Sequence, residues 1–370
     1  MQFRNKMMNK MISNTRFSFL ITILFLGWGT CSTPPNLQEK AEQADILVTT
    51  TLDENELPGI SVTILKGGEQ VYSKGFGFAD LEAKKMIDPS TTRFRVGSVS
   101  KTFAASALMT LVEDNKVHLD SSVYGYVPNF PEKEWTITPR QVAGHLSGIR
   151  HYRGNEMNIN RFYPSVNEAL SIFEKDTLLH EPGSKYLYST HAWTLLSAVI
   201  EQAAGAPYLD YMQQSVFDPL SMTSTHPELS DLEGVEKVSY YVRNPAGGLT
   251  PAPEVDNSWK WAGGGFISTT EDVARFLWQH AEASYLTTES LSELTTPQQT
   301  TRGESTNYGL GWSNRKDAQG YRLIGHTGGS VGGTTFAFMQ PNSGVVVVMT
   351  TNVSSASFGN LANDLFTLYR

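Results

Sequence analysis

From Gly59 the chain alternates: Ile60, Val62 and Ile64 are apolar and Ser61 and Thr63 polar, the period of a half-buried strand. Gly67-Gly68 then predicts a turn into a second strand around Val71 to Phe78. Beyond Ser98 the period changes to that of a helix. Phe103, Ala104, Ala107, Leu108, Leu111 and Val112 form one stripe, which Asn115-Lys116 ends, so Ser98 sits at a helix N-terminus. Between about 120 and 300, helical patterns at Val166 to Phe173, Thr194 to Ala203 and Thr270 to His280 are separated by Pro- and Gly-rich loops, which reads as a mostly helical lobe. Strand patterns return at Tyr308 to Trp312, Tyr321 to Ile324, Thr334 to Met339 and Val345 to Thr350, followed by a helical tail at about Phe358 to Tyr369. The pattern predicts an α/β (α+β) fold: an antiparallel sheet built from distant segments, flanked by the terminal helices, with the helical lobe inserted into it.

The first 30 residues do not belong to that pattern. Arg4, Lys6, Lys10 and Arg16 stand there without an acid and precede the apolar run Phe17 to Leu26, which is a signal-peptide arrangement and too short for a comfortable membrane span. The only cysteine, Cys31, follows at once in Gly29-Thr30-Cys31-Ser32. That spacing suggests a bacterial lipoprotein signal with lipidation and membrane anchoring at Cys31; ordinary signal cleavage and a mitochondrial presequence are the other readings. Residues 31–44 read as a polar tether, leaving 45–370 as one domain. Export to the periplasm or cell envelope follows from this reading.

Composition narrows the chemistry. One cysteine excludes an intramolecular disulfide and a cysteine-based metal cage. Without the four basic residues of the leader, 25 basic side chains face 37 acidic ones, a formal charge of −12, which argues against a nucleic-acid partner.

Candidate chemistry begins at Ser98-Val99-Ser100-Lys101. An S-x-x-K at a helix start puts the lysine on the same face as the serine, and a desolvated lysine can act as the base that a serine hydroxyl needs. A helix cap three residues from a solvated lysine would look the same. Tyr188-Ser189-Thr190 follows about 90 residues later, before a helical stretch, and His326-Thr327-Gly328-Gly329 lies far downstream after a strand. No G-x-S-x-G elbow is present, and His145 and His151, six apart around the Ser147-Gly148 turn, match no metal spacing. They read as residues holding a loop under the site. Gly263-Gly264-Gly265 lacks a following G-K-[ST] and reads as a close backbone approach rather than a phosphate cradle. Trp259, Trp261 and Phe266 fit core and substrate wall equally.

In order and setting, these three motifs resemble those of the serine β-lactamase and penicillin-binding superfamily: S-x-x-K, Y-x-N or S-x-N, and K-T-G. Tyr126 to Pro131, His145 to Tyr152, Tyr186 to Thr190, Asp256 to Ser258 and Lys260 to Phe266 extend the resemblance to the mitochondrial serine β-lactamase-like branch, over about residues 45–352. The resemblance implies a β-lactamase/transpeptidase-like fold with no metal or organic cofactor. It also implies Ser98 as the nucleophile of an acyl-enzyme, Lys101 and Tyr188 as its bases, and the backbone N–H groups of Ser98 and Gly329 as the oxyanion hole. Thr190, His326, Thr327 and Gly328 would line the substrate site. Two departures bear on the substrate: Thr190 stands in place of the family's asparagine, and His326 in place of its lysine. An imidazole titrating near about 6.5 would hold a substrate carboxylate weakly at neutral pH and better below it; a histidine that only hydrogen-bonds within the site, orienting Thr327 and Tyr188, is the equal alternative. The expectation is a hydrolase of small peptides or esters; the alternatives are a true class C-like β-lactamase and a catalytically idle binding or assembly protein.

Overall fold

The two ends of the chain meet in one sheet. The computed structural model describes residues 35–370 apart from Ser230, Asp231 and Glu233; the leader and Cys31 lie outside the described residues. Seven strands, β1 (Gly59–Lys66), β2 (Glu69–Asp80), β3 (Lys85–Met86), β4 (Ser313–Lys316), β5 (Arg322–Ser330), β6 (Gly333–Gln340) and β7 (Val345–Thr351), lie in the order β3-β2-β1-β7-β6-β5-β4. Every pairing is antiparallel, and β1 lies beside β7 in the register Ile60 with Thr351.

The period-2 alternation of the strands sorts their side chains between two cores. Ile60, Val62 and Ile64 of β1 join Val345, Val347 and Met349 of β7 under two terminal helices, α1 (Pro35–Glu54) and α5 (Leu361–Tyr369). Val346, Val348, Ile324 and Met339 point the other way, into the larger core shared with the helical lobe. At the centre of that lobe are α2 (Ser100–Glu113) and α3 (Thr190–Ala204), both buried over most of their length.

Three expectations need correction. Residues 35–44 are the first half of α1, not a tether: Ala41, Ala44, Val48 and Leu52 recur at three and four residues and give a short chain segment an apolar stripe to bury. The helix α4 (Thr270–Ala281), inside the stretch assigned to the lobe, packs on β1, β6 and β7, and its Thr270 hydroxyl meets both Ser61 and Thr63 at 2.8 Å. Tyr308 to Trp312 is not a strand. The chain is irregular there, and the edge strand begins at Ser313.

Candidate active site

Ser98 lies in a single 3₁₀ turn, Gly97–Val99, that leads into α2. The turn is pressed against β5. Gly97 has φ +51°, and a Cβ there would stand 2.8 Å from the nitrogen and the carbonyl oxygen of Gly329. A Cβ on Gly328 would come within 1.9 Å of the Val96 carbonyl. Two glycines therefore let the strand carrying His326-Thr327-Gly328-Gly329 run against the serine turn, which puts the chain at Ser98 beside that at Gly329.

One helical turn on, Lys101 is wholly buried, with Nζ 3.1 Å from Ser98 Oγ and donating to the Gly263 carbonyl at 2.6 Å. Among the described residues, no carboxylate pairs with it. Burial holds its ammonium well below the ordinary lysine value, and the charge of Lys260 adds to the effect. Lys260 is itself buried, resting over the Trp259 and Tyr152 rings, and desolvation pushes it down to about 8. The glycine run is a close approach, since a Cβ on Gly263 would meet Thr190 Cγ2 at 2.5 Å. Trp259, Trp261 and Phe266 are core residues.

The Tyr188 segment is held by its own backbone. Ser189 caps α3, accepting from the Ala192 N–H and donating to the Arg150 carbonyl at 2.6 Å. The next two amides are satisfied by imidazoles: Ser189 N–H donates to His145 Nδ1 and Thr190 N–H to His151 Nδ1, each at 3.1 Å. Accepting at Nδ1 requires the neutral ring, and burial ensures it by holding His145 well below its usual value and His151 at about 4. His145 also lies against the Tyr188 ring, centroids 4.1 Å apart, while Lys101 Nζ sits 4.9 Å from the centre of the same ring. Desolvation drives the Tyr188 phenol far above its normal value, partly offset by the Ser98 hydroxyl.

Both nitrogens of His326 find partners inside the protein. Its Nδ1 lies 2.6 Å from the Thr327 carbonyl, which only accepts, so Nδ1 carries the proton; Nε2 then accepts from the Tyr308 hydroxyl at 2.9 Å. Burial and the nearby Lys101 charge push the ring down to about 3. His326 is a neutral wall of the pocket with both nitrogens engaged, one by Tyr308 and one by the Thr327 carbonyl. Thr190 also lines the pocket, with its hydroxyl against the Tyr152 phenol.

Ser98, Tyr188, Thr190, His326, Thr327 and Gly329 converge on one open pocket of about 370 Å³. A family model described as beta-lactamase matches residues 44–366. The chain belongs to the beta-lactamase family. It is 30% identical, over 84% of its length and 76% of the relative's, to the human mitochondrial serine beta-lactamase-like protein LACTB. Among solved structures it is similar to the octameric penicillin-binding protein homologue of Pyrococcus abyssi, with TM-score 0.77 and 26% identity over 88% of this chain and 77% of that one. It shares the fold of the D-amino acid amidase of Ochrobactrum anthropi, with TM-score 0.73 and 21% identity over 88% and 97% of the two chains.

Several residues that complete this beta-lactamase-family pocket carry no signal in the sequence. Arg315, at the start of the sheet edge, brings Nη2 to 3.4 Å from Thr327 Oγ1, and Tyr186, Tyr308, Ser313 and Met157 fill the remaining wall. Apart from Tyr186, which opens the Tyr186 to Thr190 segment, none belongs to a motif; β4 pairing with β5 places Arg315 beside the His-Thr-Gly strand. His191 could be found only through the fold. It lies one residue beyond the Tyr-Ser-Thr motif, and its Nε2–H donates at 2.9 Å to the Glu156 carboxylate, itself bound by Arg150, behind the pocket.

Proposed function

We propose that this chain is a serine hydrolase that cleaves amide or ester bonds through an acyl-enzyme on Ser98. The observation that carries the reading is the buried Lys101 amine, 3.1 Å from the Ser98 hydroxyl, with no carboxylate among the described residues to keep it protonated. As Ser98 Oγ attacks the carbonyl carbon, its proton passes to the neutral Lys101 Nζ. The oxyanion faces the N–H groups of Ser98 and Gly329. Collapse breaks the C–N or C–O bond, and the proton leaves Lys101 through the Tyr188 hydroxyl to the departing nitrogen or oxygen. Water then repeats the sequence on the ester, giving up its proton to the same base and restoring Ser98. A Tyr188 phenol held neutral by burial suits a relay better than a primary base.

Small peptides and esters are favoured over β-lactams because His326 is neutral where the related lactamases carry a lysine. The pocket's cation is instead Arg315 at the rim, within reach of a substrate carboxylate beside Thr327. The amidase likeness supports the same preference. Export to a bacterial envelope, with an anchor at Cys31, completes the proposal. The test is an uncharged fluorophosphonate. It should label the wild type and fail to label Ser98→Ala, whose stability should change by no more than about 1 kcal/mol, the scale of a lost helix-start hydroxyl. Equal labelling of a folded Ser98→Ala would end this assignment.

A further inference from the structure

Beside the pocket is a larger trough of about 840 Å³ that shares Tyr186, Tyr308, Ser313 and Arg315 with it. Three cations line this trough, Arg315, Lys316 and Arg322, and no acid does. Lys316 and Arg322 face each other across β4 and β5 in direct register. Arg322 spends its guanidinium on neutral partners, the Asn314 side-chain oxygen at 2.7 Å and the Thr295 carbonyl at 2.8 Å. Among the described residues, no carboxylate oxygen lies within 4 Å of any of the three. Other arginines of the chain are paired with acids: Arg140 with Asp120, Arg150 with Glu156 and Arg370 with Asp317. In a chain of formal charge −8, a wall of three cations left without acids next to the reaction centre is a local field of the opposite sign.

We propose that this trough is an outer subsite for an acidic peptide, so that the substrate of the Ser98 site is a peptide or peptide ester carrying at least two carboxylates beyond the scissile bond. The inference rests on the hydrolase reading above and narrows its substrate class. Arg315 spans both cavities and takes the inner carboxylate next to Thr327; Lys316 and Arg322 take the outer one. Guanidinium forks match the planar carboxylate. The trough also offers apolar surface: Tyr186, Tyr308 and Pro297 line it and can take side-chain stems.

Binding can be measured apart from turnover. Dye-labelled tetraglutamate and tetraglutamine amides are titrated against full-length Ser98→Ala by fluorescence anisotropy, and the same unlabelled peptides are tested for slowing fluorophosphonate labelling of the wild type. Tetraglutamate should bind at least tenfold more tightly than tetraglutamine and protect Ser98. The preference should shrink in 0.5 M salt and be lost in Lys316→Glu/Arg322→Gln. Because Arg322 also holds Asn314, Lys316→Gln alone, at an exposed side chain with no partner to lose, should weaken tetraglutamate by about threefold with an unchanged thermal midpoint. Equal affinity for the two peptides, or full affinity in a folded double variant, overturns the subsite. Tripolyphosphate binding as tightly as tetraglutamate overturns the peptide assignment in favour of charge alone. Failure of the fluorophosphonate to label the wild type bears on the hydrolase reading, whereas the anisotropy on Ser98→Ala reports on the trough by itself.

Discussion

At the scale of single residues, burial rather than identity sets the protonation states of the site. In the proposed mechanism Lys101 must be neutral to accept the Ser98 proton, so activity should rise with pH as the amine deprotonates. Because burial and Lys260 lower its pKa, the plateau of kcat/KM should be reached well below the 10.5 of a free lysine. Tyr188 is displaced upward, so no alkaline fall should appear before about pH 10. A profile still climbing at the ordinary lysine value would show that Lys101 is not desolvated in solution. Lys101→Ala should lower kcat/KM at least about a hundredfold, the scale of general-base loss. His326 gives the opposite prediction to the one its residue type suggests. With its ring held near about 3, KM for a carboxylated substrate should not vary with its titration between pH 5 and 8. Tighter binding on acidification through 6.5 would mean that the imidazole is free to protonate. The motifs announced Ser98, Lys101 and Tyr188, but they carried no information on burial, because the groups around Lys101 Nζ include the Gly263 carbonyl and the Tyr188 ring, from segments about 160 and 90 positions away.

At the scale of elements, the site depends on how closely β5 can approach the turn before α2. Gly328 and Gly329 are adjacent in sequence yet differ in surroundings: the first would drive a Cβ to 1.9 Å from the Val96 carbonyl, while nothing lies within 4 Å of a Cβ on the second. Gly328→Ala should therefore push the strand off the turn, lowering both the thermal midpoint and the rate of Ser98 labelling, the latter at least tenfold. Gly329→Ala should melt like the wild type. Similar melting curves for the two variants would contradict this packing account. Strands and helices with strong periodicity were legible, as β1, β2, β6, β7 and α2 attest. The start of α1 was not, because its exposed polar face and the preceding Ser-Thr-Pro-Pro outweigh four apolar residues in a local window. Nor did the amphipathic pattern of α4 reveal which layer its apolar face covers.

At the scale of the whole molecule, α1 closes the outer core. Ala44 and Val48 are fully buried, and Asp45 receives the Tyr72 hydroxyl at 2.8 Å. Deleting residues through Glu54 should expose the face of Ile60, Val62 and Val347 and lower the thermal midpoint by at least about 5 °C, given about 1.5–3 kcal/mol for each large apolar side chain uncovered. A truncated chain melting with the parent would show that α1 contributes nothing to the sheet. The sequence by itself determined the strand and helix periods, the sheet assembled from both chain ends, the order of the three motifs and their family resemblance. These are local or linear properties: side-chain alternation, stripe spacing, residue type. Only the tertiary structure decided that Lys101 is stripped of water, that His326 is neutral with both nitrogens engaged, and that Arg315, Lys316 and Arg322 line one trough beside the serine. Protonation and electrostatic field depend on which distant groups share a volume, and that is set by packing between segments up to some hundreds of residues apart.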